Sequence, residues 1–174
     1  INNIPGGDVN IYAHSNIGIN APINTFGGDL YLTATESITH SVLGDITTAG
    51  GSYTGIFNYD PLLTGAYTMA DDGLLDRTVI DVTGGTGTGV VTIQSTAGTG
   101  GNITISEILA DTTSGAITLS TSGGAIEKVV GSTASYELVA NQLLLYAATG
   151  IGNVDPLLTN VNDFGAINTG SGNI

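Results

Sequence analysis

Asp8 and Asp29 stand 21 residues apart, each after a Gly-Gly pair and before an alternating apolar run. Carboxylates repeated at one period suggest a divalent cation, since calcium takes six to eight oxygens. The third copy of the motif carries Ser52 instead, and later corners carry Asn102 or Asn173. Asp, Asn and Ser share the ability to accept a hydrogen bond from a turn amide. Capping is therefore the expected role of this position. Asp71, Asp72, Asp76 and Asp81 form the densest acidic group, without the alternate ligand spacing and closing Glu of an EF-hand. A solvated loop is expected there, with weak calcium binding at Asp71, Asp72 and Asp76 as the lesser alternative. Gly84-Gly85-Thr86-Gly87-Thr88-Gly89 lacks the Asp that the calcium nonapeptide requires.

Catalytic chemistry has little to work with. His14 and His40 are the only imidazoles, and they miss equivalence at the 21-residue offset. Each is expected at a surface or turn. Glu36, Glu107, Glu127 and Glu137 are scattered, whereas a glycosidase needs two carboxyls facing one cleft. Arg77 and Lys128 are the only cations, too few for a lyase that sets basic residues beside acids. With no Cys there is no thiolate metal site and no thiol nucleophile. No catalytic, cofactor-binding or metal residue is assigned, and the chain is not expected to be an enzyme. Thr33/Thr35 and Thr86/Thr88 are not at one period, so no flat Thr rank of the ice-binding kind is expected. Asn102-Ile103-Thr104 matches a glycosylation sequon but falls in an expected strand.

The elements that carry these residues repeat. Gly6-Gly7-Asp8-Val9-Asn10-Ile11 recurs as Gly27-Gly28-Asp29-Leu30-Tyr31-Leu32, and a third copy opens at Gly50-Gly51-Ser52-Tyr53. Each unit holds short runs of alternating apolar residues, which send successive side chains to opposite faces. Such short runs cannot bury a face alone; stacking the units buries one continuous column. The fold expected is all-β, a parallel β-helix (β-solenoid) of about eight coils, each roughly 21 residues. Further strands are expected at 78–82, 90–93, 103–105, 116–119, 137–140, 143–147 and 154–158, with 142–148 the most buried. Residues 58–76 interrupt the pattern and read as a loop excursion with one helical turn. The whole chain, 1–174, reads as a single solenoid segment.

Composition agrees. Charged residues are 10%, against about 25% in ordinary domains, and Gly is 27 of 174 residues. Thr (25) and Ile (19) give a β-branched excess. In a solenoid, equivalent positions lie above one another, so like charges repel while Thr and Asn ladders hydrogen-bond. A net charge of −13 makes nucleic acid a poor partner and an anionic membrane surface an unexpected one. The longest apolar runs, such as Leu143 to Ala148, fall far short of the roughly 18 residues of a membrane-spanning helix, so no membrane insertion is expected. Residues 167–174 align with 23–30 as the same corner, and the start of the chain reads as that corner again. The solenoid is therefore expected to continue past both ends, within a longer polypeptide or by stacking of copies. Ile1, Ile4, Val9, Ile11, Ile167 and Ile174 are the expected end-to-end contacts.

Ile19-Asn20-Ala21-Pro22-Ile23-Asn24-Thr25 followed by Gly27-Gly28-Asp29-Leu30-Tyr31-Leu32-Thr33-Ala34 resembles repeats of filamentous-haemagglutinin-like proteins. Thr149-Gly150-Ile151-Gly152 with Pro156-Leu157-Leu158-Thr159 and 170–174 is similar to a recurrent segment in giant bacterial surface proteins of that kind. The resemblance implies a right-handed parallel β-helix, secretion to the bacterial cell surface, and a part in adhesion or a surface fibre. The function expected is structural: the shaft of an adhesin or a filament building block. Expected partners are copies of the chain or flanking repeats, and surface glycans or host and abiotic surfaces. The alternative is a carbohydrate-binding or polysaccharide-degrading module using the 58–76 loop.

Overall fold

The computed structural model describes residues 6–60, 62–74, 76–96 and 101–174. Short strands wind through successive turns. Turn one holds β1 (Val9–Ala13), β2 (Ile17–Ile19) and β3 (Ile23–Asn24). Turn two holds β4 (Leu30–Ala34), β5 (Ile38–His40) and β6 (Ile46–Thr47). Turn three holds β7 (Tyr53–Phe57), β8 (Tyr67–Thr68) and β9 (Val79–Asp81). Turn four holds β10 (Val90–Ser95), β11 (Ile103–Ile105) and β12 (Glu107–Leu109). β13 (Ala116–Ser120), β14 (Ile126–Lys128), β15 (Leu138–Ala147) and β16 (Thr159–Asn168) follow.

Every pairing between these strands is parallel and joins one turn to the next. The result is a three-faced β-solenoid of about six turns, with no helix among the described residues. At about 4.8 Å per turn the rod is roughly 30 Å long. The 21-residue spacing predicts about eight turns; the difference lies in turn length. The step is 21 residues from Asp8 to Asp29 and 23 to Ser52. It then stretches to 38 at Val90 and 26 between Ser95 and Thr121. It returns to 21 between Asn141 and Asn162.

Alternation places the core. β4 and β7 bury every second residue, and Leu30, Leu32, Tyr53 and Phe57 are wholly enclosed. On the second face Ile17, Ile38, Tyr67, Ile103 and Ile126 stack in one column, continued by a bridge to Ile151. Each such side chain stabilises the fold by roughly 1.5–3 kcal/mol on burial. The 58–76 segment is not wholly outside this stack, because Tyr67 and Met69 are buried in it and β8 pairs both neighbours. Its described residues contain no helical turn.

The Gly-Gly corners have separate tasks for their two glycines. Gly27 has φ of 101°, a region open to Gly at little cost. At Gly28 a Cβ would lie 2.0 Å from the Gly7 carbonyl oxygen, so the backbones of successive turns touch there. Thr25 and Thr48, both buried, lock these corners by donating from Oγ1 to the Gly28 and Gly51 carbonyls.

Two expected elements are placed differently. Of residues 142–148, all but Ala148 belong to β15, which alternates and leaves Leu144 and Tyr146 exposed rather than forming the most buried strand. Residues 154–158 form no strand; the last strand is β16, in which 159–161 pair with the first part of β15 and 163–168 with its second part. Both strands run round a corner at Asn141 and Asn162, where no glycine breaks them.

Candidate functional site

Several of the corners that begin a face carry a side chain that grips the following turn. Asp8 Oδ1 accepts from the Asp29 amide at 2.9 Å, while the Val9 amide donates to the Asp29 carbonyl. Asp29 Oδ1 repeats this on the Ser52 amide at 2.7 Å, and Ser52 Oγ on Val90. On the second face Asn16 caps the Ser37 amide, Ser37 caps Ala66, and Asn102 caps Ala125. On the third, Asp45 caps Val79 and Glu137 Oε2 caps Leu158. In every case the acceptor belongs to the earlier turn and the amide to the next. The caps satisfy amides that the strand ladder leaves over where the chain turns.

The acidic loop is held in the same manner. Asp71 Oδ1 accepts from the Gly73 amide, and Asp72 Oδ1 from those of Leu74 and Asp76. Among the described residues no group of three or more His, Asp or Glu side chains is placed to hold a metal ion. The scattered glutamates are structural neighbours of corners. Glu36 accepts from Asn16 Nδ2, and Glu127 from the Asn153 and Val154 amides. Glu107 pairs with Arg77 at 2.8 Å, and Glu137, 0% exposed, faces Lys128 at 3.6 Å. Lys128 also pairs with Asp155 at 3.2 Å.

His40 is not at a surface. It lies in the core, where Nε2 is 2.8 Å from Tyr67 Oη, itself 2.8 Å from Tyr53 Oη. Its Nδ1 lies 2.9 Å from the Gly44 carbonyl, which only accepts, so Nδ1 carries the proton. Nε2 then accepts from Tyr67, and Tyr67 from Tyr53, a one-way chain with every polar atom satisfied. Burial lowers the His40 pKa to about 4, against the partial opposition of the Gly44 carbonyl. Burial likewise pushes both phenols up, so they remain protonated donors. Gly55 makes room for this chain: a Cβ there would meet Tyr53 Oη at 2.8 Å. His14, by contrast, is exposed and stands edge-on to Tyr12.

Two hollows lie at the rims of the described structure. At the N-terminal rim a cavity of about 330 Å³ is lined by Ile11, Ile17, Gly18, Ile19, Ala21 and Ile23. At the C-terminal rim one of about 280 Å³ is lined chiefly by Leu145, Ile151, Leu157, Phe164 and Ile174. Both are core columns that the described residues leave uncovered. Val9 and Ile11 face inward at the first rim, and Ile174 stands at the second. The Ile151 amide donates to the Asn173 carbonyl as Ile126 does to Gly150, so Ile174 continues the second-face column. Ile167 is placed differently. It pairs with Tyr146 and points outward, in the column of Tyr12, so residues 167–174 are not the corner of residues 23–30. Ile1 and Ile4 lie outside the described residues.

Two Thr ranks do form, Thr54–Thr92–Thr118 on the first face and Thr39–Thr68–Thr104 on the second. Equivalence follows the turns rather than a fixed period, which hides them in the sequence. Each is one residue wide. No family model, curated protein or solved structure matches the chain.

Proposed function

We propose that the chain is an extracellular structural module, the shaft of a bacterial adhesin or the building block of a surface filament. It extends head to tail through its rims and belongs with the filamentous-haemagglutinin-like proteins that its repeats resemble. The observation that carries this reading is the pair of uncovered rims, where apolar columns and strand edges are presented together. An open strand edge is a template for further pairing, and a heterologous contact that does not close generates a fibre. The polar side chains support the same reading, because their hydrogen bonds run between turns and stiffen the rod.

A second reading rests on Tyr59, 57% exposed in the 58–66 excursion, a ring suited to stacking on a sugar. Electron microscopy of the concentrated protein separates the two. Rods with an axial repeat near 30 Å are expected on the first reading. Discrete particles that bind glycans, with binding lost in Tyr59→Ala, would replace it with the second.

A further inference from the structure

We infer that Lys128, Asp155 and Glu137 form a self-linking site. In it the Lys128 amine and the Asp155 carboxyl join as an intramolecular isopeptide bond, with Glu137 as the proton carrier. The bond ties one turn of the solenoid to the next and is independent of how the rod is extended.

Lys128, the one lysine of the chain, ends β14. Its side chain is only 9% exposed, although lysine is almost never buried unless paired. Nζ lies 3.2 Å from Asp155 Oδ2 and 3.6 Å from Glu137 Oε1. Glu137 is wholly buried, and its Oε2 is held by the Leu158 amide at 2.7 Å. Its Oε1, equally buried and aimed at Nζ, accepts no hydrogen bond among the described residues. At 3.6 Å the ammonium is too far to fill it. A buried ion pair stabilises only where the remaining lone pairs are satisfied. A purely structural salt bridge therefore leaves that oxygen unexplained.

The loop that presents Asp155 is pinned on both sides. Glu127 accepts from the Asn153 and Val154 amides, and Glu137 from that of Leu158. Pro156 follows Asp155 and has no N–H. The carboxyl thus cannot close on the next backbone nitrogen as a succinimide. The Asp155 side chain is 40% exposed, so a released water has a way out while the amine stays enclosed. Holding amine and carboxyl in contact supplies the proximity that amide formation between free groups lacks.

The arrangement seen here is the state before the bond. Glu137 Oε1 takes one proton from the Lys128 ammonium and passes it to Asp155 Oδ2. The freed lone pair on Nζ attacks Asp155 Cγ and forms the C–N bond. Glu137 then carries a second proton from Nζ to the same Oδ2. The C–O bond breaks, and its electron pair leaves with that oxygen as water. Ammonium and carboxylate have become one neutral amide and one water, with no oxidant or cofactor, and Glu137 ends as it began. The remaining N–H gives Oε1 the hydrogen bond it lacks.

Mass spectrometry of the folded, purified chain reads the bond as the loss of one water. Trypsin cuts the unfolded chain after Arg77 and Lys128 but does not cut after an acylated lysine. The expected product is an uncut 78–174 fragment, one water light, whose fragmentation joins Lys128 to Asp155. Asp155→Ala removes an exposed carboxyl and is expected to keep its full mass and release 129–174. Glu137→Gln keeps the side-chain shape, is checked for folding by circular dichroism, and is expected to stay unlinked. A wild-type chain of full mass that is cut at Lys128 overturns the inference. A water loss that persists in Asp155→Ala also overturns it and assigns the loss to a succinimide, as at Asp72-Gly73. A bond that forms as completely in Glu137→Gln overturns the proton-carrying role. None of these outcomes bears on the head-to-tail reading.

Discussion

His40 takes no proton in the folded protein until pH nears 4, whereas an exposed histidine takes one near 6.5. Between those values the unfolded chain holds the extra proton, so stability is full above pH 6.5 and falls as pH drops toward 4. The full effect is about 3 kcal/mol. Thermal unfolding followed from pH 7 to 4.5 is expected to fall more steeply for the wild type than for His40→Gln. Equal slopes would place the imidazole in contact with water. Lys128 is the second decisive residue. Its removal in Lys128→Met leaves the Glu137 carboxylate buried opposite no charge, which is expected to cost about 3–5 kcal/mol. Denaturant titration, read against the freshly folded, unlinked chain, should show most of that loss restored in Lys128→Met/Glu137→Gln. At Gly55 even a methyl group crowds two tyrosines, and Gly55→Ala is expected to destabilise by about 1–3 kcal/mol.

At the scale of elements, the caps tie one turn to the next more than they shape any single strand. Asp29→Ala removes the acceptor of the Ser52 amide and is expected to cost about 1 kcal/mol. Hydrogen exchange should quicken at Ser52 before it quickens in the strands beside it. This position was legible in the sequence, because Asp8, Asp29 and Ser52 share an ability to accept and nothing else. The solenoid was legible for a related reason: three nearly equal copies of Gly-Gly-Asp/Ser with alternating apolar residues leave few other folds. What hid the rest was unequal turn length. Tyr67 and Thr68 are a two-residue strand between long excursions, too short for alternation to register, and so the 58–76 part of turn three reads as a loop. The corners at Asn141 and Asn162 lack the glycine that marks earlier ones, so β15 and β16 were not traced round them. Of the apolar residues in 154–158, Leu157 lines the cavity at the C-terminal rim while Val154 and Leu158 are exposed, so their run belongs to no strand. The His40–Tyr67–Tyr53 chain had no local signal at all, since its members come from two turns and meet only once the insertions are counted.

For the whole molecule, a charge of −13 opposes the end-to-end stacking proposed above. Two rods meeting end to end repel at long range, and salt screens that repulsion within a Debye length of about 8–10 Å. Apolar contacts between rims act at van der Waals distance and are screened little. Association is therefore expected to strengthen as salt rises from 20 to about 300 mM, the reverse of a contact built on opposite charges. Sedimentation velocity at the two ionic strengths reads the sign.

The central claim is that this solenoid grows along its axis by adding its own rungs. Small-angle X-ray scattering over a concentration series tests it most directly. The account predicts a constant cross-section while the longest dimension increases in steps of roughly 30 Å. Particles that stay one rod long at every concentration, or that thicken instead of lengthening, would contradict it.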